Sequence, residues 1–249
     1  MTTKILAISP LNPLNDGASL PPLGLVTVAS YIPNNYDIRL IDESREKINY
    51  DADLALISAN SITIRRAYEL CKEFSRRDVP VILGGIHASL MPEEAQKYAT
   101  SIVVGNGEGV WNGIINDFEK GRLKKVYKPE FFDLTKSKIP KRSLLKNRYF
   151  FDSLETSRGC PFNCEFCSVT QLNGAAYRCK PLELVRKELD TIKKKNVFLV
   201  DDNILGAGKK AEERAINLLR LLKEYNVNWF GQTSINIAEN PKIDRKSVV

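Results

Sequence analysis

Over the first 120 residues, short and nearly continuous apolar runs alternate with longer stretches whose apolar residues recur at helical spacing. Lys4–Ser9, Asp37–Ile41, Asp53–Ser58, Val79–Leu83 and Ser101–Val104 are the strand candidates. Their unbroken apolar character suits strands covered on both faces, as in a parallel sheet. Between them Leu23–Tyr31, Ile62–Arg77, Pro92–Lys97 and Val110–Glu119 read as amphipathic helices, the second carrying Ile64, Ala67, Leu70, Cys71 and Phe74 on one side. The alternation predicts a doubly wound α/β domain over residues 1–120 with a parallel five-stranded sheet. Cys71, on the apolar side of its helix, is expected in the core.

The same alternation resumes near residue 151. Ser153–Thr156, Val197–Val200 and Asn228–Thr233 read as strands, while Pro181–Lys194 and Ala211–Tyr225 read as helices with one apolar face. Repeated strand–helix units with polar residues at the strand ends predict part of a β/α barrel over residues 151–249, its mouth at those polar ends.

The intervening residues, 121–150, break the pattern and read as a basic connector. From Lys120 to Arg148 eleven Lys and Arg stand against Glu130 and Asp133, a surplus of nine, whereas the whole chain carries only +7. Such a segment could meet nucleic acid or a phosphorylated group, but most charge runs are solvated surface. Its aromatics, Tyr127, Phe131, Phe132, Tyr149 and Phe150, are expected to anchor it to the flanking domains.

With 43% hydrophobic and 27% charged residues the composition is that of a globular protein, and no apolar run approaches the ~20 residues that span a bilayer. Met1-Thr2-Thr3-Lys4 leads straight into a strand pattern rather than a secretory signal, which points to a cytoplasmic chain.

Three of the five cysteines, Cys160, Cys164 and Cys167, fall in Gly159-Cys160-Pro161-Phe162-Asn163-Cys164-Glu165-Phe166-Cys167, spaced CxxxCxxC. Thiolates select iron–sulfur clusters, zinc or cuprous copper over hard cations. A four-iron cluster ordinarily takes four cysteines, so three leave one iron open to another ligand. Gly159 and Pro161 suit a tight loop and neither suits a helix interior. The alternative from a different functional class is a zinc-stabilised nucleic-acid-binding module built on Cys160, Cys164, Cys167 and Cys179 with the basic connector.

Ligands of doubly wound sheets bind beyond the carboxyl ends of the strands. Three of those loops are unusual: the long first one from Pro10 to Pro22, with Asp16-Gly17 and Pro21-Pro22-Leu23-Gly24; Gly84-Gly85-Ile86-His87-Ala88-Ser89; and Gly105-Asn106-Gly107-Glu108-Gly109. Glycines there let backbone amides approach a ligand closely. The arrangement is not the GxGxxG fingerprint of dinucleotide sites.

The cysteine segment, with Phe166 before its last cysteine, resembles the radical S-adenosylmethionine superfamily, and Tyr177-Arg178, FLVDDN and FGQTSINIA extend the likeness. The resemblance implies a [4Fe-4S] cluster on Cys160, Cys164 and Cys167, with S-adenosylmethionine on the open iron and reductively cleaved to a 5′-deoxyadenosyl radical. Phe166 would pack near the adenine, and Asp201, Asp202 and Asn203 would meet the cofactor's amino and ribose groups. PPLGL, GGIHAS with Pro92-Glu93-Glu94, and GNGEG are similar to the cobalamin-binding-type domain of one subset of that superfamily. They imply a corrinoid whose nucleotide tail lies near Gly84, Gly85, His87, Gly107, Glu108 and Gly109. Many cobalamin proteins carry Asp-x-His-x-x-Gly after the first strand; the single histidine here, His87, follows the fourth. Any cobalamin would lack that lower ligand. The expected reaction is modification, by methylation or rearrangement, of an unactivated carbon in a small-molecule or lipid substrate, with a reducing partner such as a flavodoxin or ferredoxin. Family barrels have about six β/α units and three are countable here, so a truncated barrel is expected.

Overall fold

A computed structural model describes residues 2–14, 20–146, 149–239 and 243. Asp16-Gly17, singled out above, lies outside the described residues. The chain divides into two compact units, Met1–Phe132 with Lys138–Arg148, and Asp133–Ser137 with Tyr149–Val249. The connector segment is therefore shared between the two units.

In the first unit, strands β1 (Lys4–Ser9), β2 (Asp37–Asp42), β3 (Leu54–Ser58), β4 (Val81–Gly84), β5 (Ser101–Val103) and β6 (Val126–Tyr127) form one parallel sheet ordered β2-β1-β3-β4-β5-β6. The sixth strand corrects the expected count of five. Only two residues long, it carries no readable period, yet pairing with β5 and the burial of Tyr127 draw it into the sheet. Helices α1 (Leu23–Ala29), α2 (Ile64–Ser75), α3 (Ile86–Leu90), α4 (Pro92–Ala95) and α5 (Trp111–Glu119) cover the two faces. Leu6 and Ile8 of β1 join α2's Ala67, Leu70, Cys71 and Phe74 in one core, while Ile5 and Ala7 join Leu25, Val26, Trp111 and Ile114 in the other. Alternate strand residues thus serve opposite faces. Burial pushes the Cys71 thiol pKa up to about 12, so it remains an inert core group. The short helix α3 forms inside GGIHAS, read above as loop.

The chain leaves β1 for β2 on one side and crosses back to β3 on the other. In this strand order that reversal opens the ligand crevice at the carboxyl edge between β1 and β3.

In the second unit, β7 (Asp152–Leu154), β10 (Asn196–Leu199) and β11 (Asn228–Gly231) are parallel in the order β11-β10-β7. Helices α7 (Leu182–Leu189) and α8 (Lys209–Glu224) supply Val185, Leu189, Leu218 and Leu222 to a core closed by Leu154, Val197 and Leu199. A two-residue antiparallel ladder, β8 (Ser157–Arg158) with β9 (Arg178–Cys179), was not foreseen; it closes the base of the cysteine loop, which also contains α6 (Val169–Asn173). Of the connector aromatics, Tyr127 and Tyr149 are buried and Phe132 meets Tyr31 edge-on, but Phe131 and Phe150 are exposed.

Candidate functional sites

At the carboxyl edge of the first sheet, the backbone after β4 turns through Gly85 at φ +98°, where a Cβ would lie 2.4 Å from the Ala59 carbonyl oxygen. Only glycine fits both the dihedral and the space. Ser89 then links two glycine loops: its hydroxyl donates to the Gly85 carbonyl (3.0 Å) and accepts from the Gly105 N–H (2.9 Å). The structure therefore fastens Gly84-Gly85 to the Gly105–Gly109 turn, two of the segments picked out from sequence. Gly107 abuts Val28 and Glu108 is buried.

His87 is largely buried. Its Nδ1 lies 3.1 Å from the Ser61 hydroxyl, its Nε2 lies 3.7 Å from a Glu94 oxygen, and its ring meets Tyr68 edge-on. Tyr68 also donates to Glu94 at 2.9 Å. His87 thus sits in a protein network at the rim, well away in sequence from the first loop. That loop has its own anchor, because Glu43 accepts the Leu11 N–H at 2.9 Å and is clamped by Arg66 through Nε and Nη2. A single carboxylate in a turn after a strand carries no distinguishing sequence signal, so Glu43 was not legible from sequence.

In the second unit, the residues after β10 hold the cysteine loop. Asp201, almost fully buried, accepts from the Thr156 N–H (2.6 Å), the Thr156 hydroxyl (2.5 Å) and the Ser157 hydroxyl (2.6 Å). Burial raises its pKa, although the three donors pull the other way. Asp202 accepts the Gly159 N–H at 2.8 Å and the Asn173 side-chain amide at 3.0 Å. Asn203 points its amide nitrogen at Cys160 Sγ (3.7 Å) and at Ser234 (3.1 Å), while its oxygen accepts the Leu205 and Gly206 N–H groups. All three acidic-turn residues are brought to the cysteine loop. Asp201 spends its oxygens on the fold, which leaves Asp202 and Asn203 nearer the cysteines.

Beside this turn lies a chain of charges. Glu155 is bidentate to Arg158 (2.8 Å to each oxygen) and 3.7 Å from Lys180; Lys180 in turn pairs with Glu188 at 3.0 Å. Burial would raise the Glu155 pKa, but Arg158, Lys180 and Arg178 outweigh it and hold the carboxyl below its usual range. Gly159, at φ +88°, has no room for a Cβ against the Ala176 carbonyl.

Cys164 is exposed, Cys160 and Cys167 are half-buried, and none of the five cysteines is in a disulfide. Among the described residues no three His, Cys, Asp or Glu side chains are gathered closely enough to hold a metal ion, so the thiols share a loop without converging. The donor set still fits a soft metal in kind. Three accessible thiols lie in eight residues, the loop is fixed at Gly159 by Asp202, and a turn holds Cys167 to Cys164 through N–H to O at 3.0 Å. Phe166 is 93% exposed beside them. Cys179 stands apart on β9, its thiol pKa raised by burial.

This is a glycine-edged doubly wound domain joined to a three-strand β/α arc that carries an open cysteine loop. Residues 14–114 match the B12 binding domain family. The chain is 33% identical to the bacteriochlorophyllide d C-8(2)-methyltransferase of Chlorobaculum tepidum, over 94% of this chain and 57% of that protein. It is 29% identical to the hopanoid C-2 methylase of Rhodopseudomonas palustris, over 93% and 47% respectively. Its fold resembles that of the cobalamin-dependent S-adenosylmethionine radical enzyme OxsB with aqua-cobalamin bound, at a TM-score of 0.76 and 18% identity, over 99% of this chain and 41% of that one. The chain thus carries a B12 binding domain match in its amino-terminal part and is similar over most of its length to curated methyltransferases. It spans about half the length of the curated relatives it matches.

Proposed function

We propose that this chain is the cofactor-binding part of a radical enzyme that modifies an unactivated carbon, with methyl transfer as the reaction. Both curated relatives above are named for methylation, which favours transfer over ring formation or rearrangement. The observation that carries the reading is the junction of Asp201, Asp202 and Asn203 with Thr156, Gly159 and Cys160.

Cys160, Cys164 and Cys167 would hold a [4Fe-4S] cluster, which with S-adenosylmethionine supplies a reductively generated radical able to take hydrogen from carbon. The protein's own groups do the positioning. Asp201 ties the end of β10 to the strand entering the loop, and Asp202 fixes Gly159. Asn203 offers an N–H to Cys160 Sγ, a donor that stabilises negative charge on that sulfur. Asp202 is the carboxylate available to an ammonium, and exposed Phe166 is a face for an adenine. In the first unit Gly84, Gly85 and Gly107–Gly109 leave backbone open to a corrinoid, with His87 at the rim. An external reductant such as a flavodoxin or ferredoxin would supply the electron.

Anaerobic reconstitution followed by iron, sulfide, zinc and corrinoid analysis tests this. Iron and sulfide at roughly four each per chain, lost in Cys164→Ala, are expected. Stoichiometric zinc without iron would sink the reading in favour of the zinc module.

A further inference from the structure

We infer that a groove on the flank of the first unit is a binding site for a neutral, polyhydroxylated ligand the size of a single sugar ring. One wall is the turn between α1 and β2, with Pro33 and Asn35; the other is a face of α5 on which Asn112, Ile115, Asn116 and Glu119 recur at helical spacing. Tyr36 and Ile115, both buried, give it an apolar floor beneath a volume of about 230 Å³. At ~30 Å³ per water that is room for roughly eight waters, enough for one pyranose ring and too little for a nucleotide or a peptide of several residues.

The lining selects by what it lacks and by what it leaves free. No lysine, arginine or histidine lines the groove, so nothing in it balances a phosphate or a carboxylate. The side chains of Asn35, Asn112 and Asn116 have no hydrogen-bond partner among the described residues. Water satisfies any one exposed asparagine, but three around one apolar floor form the convergent polar set of a small-ligand site. Each amide presents N–H donors and a carbonyl acceptor together. Glu119 accepts the Tyr36 hydroxyl through Oε1. Burial, with that carboxylate alongside, pushes the Tyr36 pKa up to about 12, so the phenol keeps its proton and the bond holds at neutral pH. The carboxylate is thereby fixed with Oε2 left to accept from a ligand. Groups that both donate and accept, set beside one oxygen that only accepts, match a ring of hydroxyls, and the floor takes the ring's C–H face.

Neither cofactor reading uses this groove. Its turn wall feeds the amino end of β2, whereas ligands of a doubly wound sheet bind at the carboxyl ends, and none of its residues belongs to the glycine loops or the cysteine loop. A ligand here and a corrinoid at the glycine edge bind independently.

The test is saturation-transfer NMR on the full chain with methyl α-glucoside, methyl α-galactoside and methyl α-mannoside, against glucose 6-phosphate as an anion control and N-acetylglycinamide as a peptide-unit control. At least one glycoside should bind with a millimolar Kd, about tenfold more tightly than either control. Asn112→Ala with Asn116→Ala should weaken that glycoside at least tenfold, and Glu119→Gln, which keeps an acceptor for Tyr36, should weaken it less. Asn35→Ala, outside the helix, supplies the same measurement should the α5 variants unfold. Corrinoid titrations should be unchanged by the variants and by saturating glycoside. No transfer to any of the three glycosides, a control that binds as tightly as the best of them, or unaltered affinity in the asparagine variants would overturn the inference.

Discussion

The Asn203 side-chain nitrogen lies 3.7 Å from Cys160 Sγ, and the same side chain's oxygen accepts two backbone N–H groups from Leu205 and Gly206. The first contact faces the cysteine loop and the second holds its own turn. Asn203→Asp keeps the acceptor and replaces the donor with an anion facing sulfur. It should leave unfolding nearly unchanged while lowering retained iron after reconstitution. Asn203→Ala should lose both, costing about 1–3 kcal/mol through two unsatisfied buried N–H groups. Iron per chain and the urea midpoint, read on both variants, separate the roles.

Lys180 and Glu188, 4% and 1% exposed, form a buried ion pair at 3.0 Å. Removing one partner strands a charge, so Lys180→Met should destabilise the second unit by roughly 3–5 kcal/mol. The double variant Lys180→Met, Glu188→Leu should recover most of that loss. Amide exchange at β10 measures both.

Glu155 has a folded-state pKa below its ordinary value of 4.5 because Arg158, Lys180 and Arg178 surround it. As pH falls, the unfolded chain takes up this proton first, so the carboxylate's stabilisation is full above 4.5 and is lost on further acidification. Glu155→Gln should flatten that acid limb. Asp201, its pKa raised by burial from 3.8, contributes with the opposite sign: its stabilisation is full below 3.8 and lost as pH rises through the folded-state value. Unfolding of wild type, Glu155→Gln and Asp201→Asn across the acid range checks both directions.

Glycine substitutions should split by position. Gly85→Ala puts a Cβ 2.4 Å from the Ala59 carbonyl at φ +98° and should abolish cobalamin binding as the β4 turn deforms. Gly113→Ala, inside α5 with nothing within 4 Å of the added Cβ, should raise stability by about 1 kcal/mol and leave binding intact. Thermal midpoints with corrinoid absorbance titrations read both.

The apolar runs alone made most of the parallel strands and their helices legible, because a strand buried on both faces has no alternative place for such residues. CxxxCxxC with Phe166 alone singled out the side chains proposed to take a soft metal, since those residues lie close together in sequence. Tertiary structure decided the rest. The two-residue strand β6 exists only through pairing with β5, and ladder β8–β9 joins Ser157 to Cys179 and Arg158 to Arg178 across the whole cysteine loop. Asp201 became a structural anchor because Thr156 and Ser157 fold against it. The ring contacts among Phe151, Phe198 and Phe230 likewise depend on register between strands. Such contacts depend on long-range pairing that no local period encodes, and they fix which of the legible residues remain free to meet a ligand.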